Sequence, residues 1–251
     1  MKKVYLYKGF ERLWHWSQTI LIFTLLATGF EINSSYELLG YRTAVEWHNY
    51  AAWSFVVLIV FAMFWHISTD AWRQYIPTKE NFNAQINYYM FGIFRNAPHP
   101  TKKRALSKLN PLQRAVYFFL EVVIIPVMIL SGLLYYFFHY PVGGTDLASL
   151  KYVAALHTLG AFILIAFVIV HLYLITTGRT LSSNLRAMVT GWEEMDDEEA
   201  KVIVEEAIEE AGQNIISMKN AKNDSAVKDI VIEALKETEE KIKENRLKGQ
   251  R

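Results

Sequence analysis

Four stretches of this chain contain no Asp, Glu, Lys or Arg: Leu13–Phe30, Trp47–Thr69, Val122–Thr145 and Tyr152–Gly178. About 18 apolar residues in a row are enough for a helix to cross the hydrocarbon core of a bilayer. One such run could be a buried helix of a soluble protein, but four of them leave too little polar surface to cover a soluble core. The first run is also a poor secretory leader. No small-residue cleavage site follows Gly29, and the run carries His15 and two Trp. The pattern predicts an all-α fold: an integral membrane four-helix bundle.

Charge divides the chain in two. The 251 residues hold 26 Lys+Arg and 25 Asp+Glu, a net of +1. Residues 1–192 carry 16 basic and 8 acidic residues; residues 193–251 carry 10 and 17. A basic membrane part is thus joined to an acidic tail, with the boundary near Gly191–Trp192, before the run Glu193-Glu194-Met195-Asp196-Asp197-Glu198-Glu199. The two expected domains are 1–192, the membrane bundle, and 193–251, a soluble helical tail. There is no Cys, which excludes disulfides, Cys-ligated zinc or iron–sulfur clusters held by this chain, and thiol catalysis.

Loop charges orient the bundle. The N-terminus, the second loop and the segment after the fourth run hold 14 of the 16 basic residues; the other two loops hold Arg42 and Lys151. By the positive-inside rule both termini lie in the cytoplasm, which makes this a multi-pass protein of the cytoplasmic (inner) membrane. Trp14, Trp16, Trp47, Tyr140 and Tyr152 fall at run ends, as interfacial aromatics do. The same rule explains Lys102-Lys103-Arg104 without a nucleic-acid partner. In the tail, Ala200, Val204, Ala207, Ile208 and Ala211 form one helical stripe and Val227, Val231, Ala234, Leu235 and Ile242 another, with Asn223-Asp224-Ser225 as a cap for the second. Such helices would form a hairpin or dock on a partner; a solvated tail is the alternative.

Ionisable residues inside spans are costly and mark function. Five of the seven His fall in or at the edges of the runs: His15, His48, His66, His157 and His171. His99, between prolines in the basic loop, reads as a surface residue, and His139 as an interfacial one. His157 and His171 are 14 residues apart, which is about 21 Å of rise and roughly 40° of rotation on a helix. Both imidazoles therefore face one side at two depths, too far apart for a single metal ion. Two flat cofactors stacked across the membrane would each take one of them, and haem iron accepts axial His. His48 shares the outer depth of His157. For His171 there are two inner candidates, His15 and His66. His66 lies about 27 Å from His48 along its own helix, a poorer match to the 21 Å spacing. The competing class is a transporter using these His as a proton or metal path, or a haem-free membrane anchor.

Arg12-Leu13-Trp14-His15-Trp16, Asn110-Pro111-Leu112-Gln113 and His157…His171-Leu172-Tyr173, in that order, resemble the prokaryotic di-haem cytochrome b family. It supplies the membrane cytochrome b subunit of respiratory Ni/Fe-hydrogenases, formate dehydrogenases and thiosulfate reductases. The resemblance covers about residues 8–192. It implies two haem b groups, with His15 and His171 as ligands of the cytoplasmic-side haem and His48 and His157 as ligands of the outer one. It implies that Arg12 pairs with a haem propionate, with a plain positive-inside anchor as the alternative, and that Asn110 and Gln113 face a quinone, menaquinone or similar, beside the inner haem, with Asn110-Pro111 as a helix start, Asn the N-cap and Pro in the first turn, as the alternative. Glu121, the one acid in the third span, is a candidate proton carrier to that quinone. His66 and the long acidic tail depart from the family pattern. The expected function is electron transfer between an extracytoplasmic iron–sulfur or multihaem subunit of a respiratory complex and the quinone pool of the lipid bilayer, as a subunit and not a stand-alone catalyst.

Overall fold

A computed structural model describes residues 1–95, 97, 98, 100, 101, 108–138 and 147–221. His99, His139, Tyr140, Lys102-Lys103-Arg104 and the second tail stripe with its cap lie outside these residues.

The chain opens with strand β1 (Lys2–Tyr5) and enters α1 (Gly9–Ile32). Glu11, in the first turn, accepts the Lys8 backbone N–H at 2.7 Å. Polar residues within α1 are accommodated locally. Thr19, Thr24 and Thr28 donate their hydroxyls to the carbonyls four residues earlier, so no hydroxyl proton is stranded in an apolar setting. Among the described residues, the helices long and apolar enough to cross a membrane by themselves begin at Tyr41, Pro111 and Leu150. At the end of α1 the buried Glu31 accepts the backbone N–H groups of Leu38, Leu39 and Gly40 at 2.6–2.8 Å. That clamp turns the chain into α2 (Tyr41–Ser68), which runs antiparallel to α1 and packs along it.

After α2 come a 3-10 turn (Ala71–Tyr75), which packs on α2 and α4 (Pro111–Phe119), and the short α3 (Phe82–Asn87), which packs on α4. The third span begins at Pro111, well before the charge-free run, because Arg114 and Glu121 lie within the helix. It comprises α4 (Pro111–Phe119), a π-helical turn (Leu120–Ile124) and α5 (Ile125–Phe138). Asn110 caps α4 as the sequence suggests: its Oδ1 accepts Gln113 N–H at 2.9 Å, and Gln113 Oε1 accepts Asn110 N–H at 3.0 Å. The π turn precedes Pro126, whose ring can neither donate a ladder hydrogen bond nor fit against the carbonyl four residues back. α6 (Leu147–Ile175) returns against α5. The outward side chains of the spans, such as Phe61, Phe64, Leu130 and Ile169, are large, apolar and exposed, as lipid contact requires.

Beyond α6, α7 (Ser183–Thr190) ends at Gly191, and β2 (Trp192–Met195) follows. β2 pairs antiparallel with β1, Lys2 opposite Met195 and Tyr5 opposite Trp192. Gly191 has φ +86°, and a Cβ there would meet the Tyr5 ring and the Tyr7 carbonyl; only glycine fits. α8 (Asp197–Ala221) is capped by Asp196, which accepts Glu199 N–H at 2.8 Å. The helix buries Ala200 and Ile203 over the sheet, where Leu6, Met195 and Ile203 form a small core. Val204, Ala207, Ile208 and Ala211, the rest of the expected stripe, are exposed on the same helix.

Candidate functional site

The helix hairpins α1–α2 and α5–α6 face one another with histidines between them at two depths. At the N-terminal end, His15 of α1 faces His171 of α6, ring centroids 6.2 Å apart. At the far end, His48 of α2 faces His157 of α6 at 6.3 Å. The 14-residue spacing on α6 thus sets two facing pairs. His66 joins neither. Its ring meets the edges of Trp14 and Tyr75 at 4.9 and 5.3 Å, and its Nδ1 lies 2.7 Å from the Ala62 carbonyl. The 3-10 turn after α2 brings Tyr75 there.

The far pair is held by hydroxyls. Thr28 Oγ1 lies 2.9 Å from His48 Nδ1, and Ser131 Oγ lies 2.8 Å from His157 Nδ1. Each hydroxyl is followed by a glycine beside the same ring. A Cβ on Gly29 would be 3.3 Å from His48 Cε1, and one on Gly132 would be 3.5 Å from His157 Cε1. The two hairpins therefore repeat one device: a hydroxyl–glycine pair on the first helix seats the imidazole of the second. Thr28 and Ser131 are not singled out by the charge and histidine pattern of the chain. The available signal was Thr-Gly and Ser-Gly within spans, at the depth of the outer His. Gly160 has another role, since the space above it is filled by Met128.

The N-terminal pair is built differently. His15 Nδ1 is buried without a hydrogen-bond partner, and His171 stacks on Phe167 at 5.6 Å. Arg12 donates through Nη1 to the Val189 carbonyl at 2.6 Å, while its Nε is buried without a partner. A small cavity of about 70 Å³ opens beside His171, with Tyr89, Gln113 and Tyr117 in its wall. Asn110 does not line it. The Asn110 amide is engaged in the α4 cap and in donating to the Tyr89 hydroxyl at 3.0 Å, so it acts on the cavity through Tyr89.

Charged groups ring this end. Lys108 Nζ lies 2.7 Å from both Glu11 carboxylate oxygens and 5.6 Å over the Tyr7 ring. Burial holds its ammonium below the usual lysine range, although Glu11 pulls the other way. Burial, and then the charges of Glu121 and Glu11, push the Tyr75 phenol above its usual range, so it stays neutral. Glu121 itself sits in the π turn. Among the described residues no group of three or more His, Asp or Glu could enclose a metal ion. The site offers pairs of imidazoles across a gap, an arrangement suited to a flat group bound on both faces.

Residues 6–191 match the model of a family described as prokaryotic cytochrome b561. The chain belongs to that family. Relatives of this cytochrome b561 chain include a cytochrome provisionally named YdhU from Escherichia coli (strain K12), 32% identical over 76% of this chain and 75% of the relative. A probable Ni/Fe-hydrogenase B-type cytochrome subunit from Cupriavidus necator is 27% identical over 69% of this chain and 79% of its own. A protein from Azospira oryzae, provisionally named protein-methionine-sulfoxide reductase subunit YedZ1, is 26% identical over 74% of this chain and 98% of its own. As a cytochrome b561 this is a membrane-spanning helical protein of haem-based electron transfer, with b-type haem as its cofactor class and hydrogenase and reductase subunits among its relatives.

Proposed function

We propose that the chain carries electrons through two b-type haems, one seated between His15 and His171 and the other between His48 and His157. One observation carries this reading: two facing imidazole pairs at 6.2 and 6.3 Å. A metal held between two imidazole nitrogens at about 2.0 Å each, with about 1.1 Å from nitrogen to ring centre, would need the ring centres about 6.2 Å apart. Other features fit the same groups. Gly29 and Gly132 leave room at the outer rings. The unpartnered Arg12 Nε is an N–H donor suited to a propionate carboxylate. When bound, the haems supply reversible one-electron chemistry; the chain supplies axial ligands, spacing and a low-dielectric shell.

In this proposal the N-terminal end is cytoplasmic, as the loop charges favour, and the membrane is the cytoplasmic membrane. The membrane quinone meets the chain at the cavity beside His171. Gln113 and Tyr89 supply polar contacts there, Asn110 holds Tyr89, and Glu121 serves proton traffic from the π turn. The redox partner is an extracytoplasmic subunit of a respiratory complex, and residues 193–251 form a cytoplasmic tail used in docking or assembly. The testing experiment is a reduced-minus-oxidised visible spectrum of the purified protein with a pyridine haemochrome assay. Two b-type haems per chain are expected; absence of b-type bands would leave a haem-free anchor or a transporter.

A further inference from the structure

We infer that Thr28 and Ser131 are positioning residues that fix the tautomer of His48 and His157 and hold the outer haem at a lower midpoint potential than the inner one. The inference rests on the two-haem proposal above. A hydroxyl has one proton to donate. Thr28 donates its proton to the Thr24 carbonyl at 2.7 Å, and Ser131 donates its own to the Val127 carbonyl at 2.6 Å. With its proton on the carbonyl, each hydroxyl oxygen is left to meet its imidazole, at 2.9 and 2.8 Å, as an acceptor. The proton of each neutral ring must then sit on Nδ1, which leaves the lone pair on Nε2 for the metal. The hydroxyl dictates which nitrogen binds.

The same bond alters donor strength. A ligating imidazole whose second N–H is held by an acceptor is the more basic ligand. Each hydroxyl here also donates to a carbonyl, which polarises its oxygen further. A more basic axial pair favours the ferric state and lowers the potential. At the inner pair, His15 Nδ1 is buried with no acceptor. The two sites thus differ by design: both outer rings have a neutral acceptor, while the inner pair contains a ring without one.

The test uses the full-length protein, with the outer haem identified as the one missing from His157→Ala. Thr28→Val and Ser131→Ala keep approximate shape and delete the hydroxyl acceptor, leaving the Leu25 and Met128 carbonyls beside the rings. Redox titration of the α-band should show the outer midpoint rising, by up to the equivalent of a tenfold change in the ferrous:ferric ratio, about 59 mV for one electron. The inner midpoint should stay in place, and Thr28→Ser should restore the original value. Both haems present with both midpoints unmoved would overturn the inference and leave the two-haem proposal intact. If Thr28→Val shed the outer haem, Thr28→Ser decides: full retention at the native midpoint supports the hydroxyl's role, and equal loss overturns it. An unaltered protein with no haem would overturn the proposed function itself.

Discussion

Gly29 of α1 and His48 of α2 stand so close that a Cβ on the glycine would lie 3.3 Å from the imidazole Cε1. The His48 imidazole is thus seated by the absence of a side chain on the neighbouring helix as much as by the presence of Thr28.

Gly29→Val should therefore displace His48 and cost the chain its outer haem while the inner one remains. Gly160→Ala is the contrast. Its added methyl meets only the flexible end of Met128, which can turn away at about 1 kcal/mol. Haem content should fall to about half in the first variant and stay full in the second.

Ligand variants should fall into two groups. His15→Ala and His171→Ala should each remove the inner haem; His48→Ala and His157→Ala should each remove the outer. His66→Ala should keep both, because its ring packs on Trp14 and Tyr75 away from either pair. A pyridine haemochrome assay on all five distinguishes the groups, and loss of haem in His66→Ala would break the assignment.

Lys108→Met should destabilise the N-terminal end by about 2–4 kcal/mol, since it leaves the mostly buried Glu11 carboxylate without its cation. Thermal denaturation in detergent, followed by loss of the Soret band, measures this. Glu11→Gln with Lys108→Met should recover much of the loss, because a neutral pair leaves no uncompensated charge.

Gly191→Ala should open the small sheet and spare the bundle. The φ of +86° alone costs a non-glycine residue roughly 1–2 kcal/mol, and the added methyl overlaps the Tyr5 ring and the Tyr7 carbonyl. Limited proteolysis should cut near β1 sooner than in the unaltered protein, with the visible spectrum unchanged.

The spans were legible because hydrocarbon excludes charge over a length that no local preference can mimic. The paired depths of His157 and His171 followed from helical pitch alone, and Asn110-Pro111 carried its cap in its own chemistry. Other features were hidden for specific reasons. Lys2–Tyr5 is only four residues long, and its partner strand lies beyond the entire bundle, so nothing local marks it as a strand. Lys108 counted as one more loop cation, and its pairing with Glu11 depends on how the third span sits against the first. Thr28 and Ser131 read as ordinary small polar residues of membrane helices until the neighbouring helix placed an imidazole at each hydroxyl.

The pairing of β1 with β2 has a consequence for counting. Two strands can hydrogen-bond only if they lie on the same side of the bilayer, so the chain between Tyr5 and Trp192 must cross an even number of times. Among the described residues three helices are apolar enough to cross unaided; α1, with its threonines and His15, as a fourth makes the count even. The seam at Lys2 and Met195 is in effect a parity check. A chain that failed to insert one span would strand its two edges on opposite faces, where no fluctuation could join them.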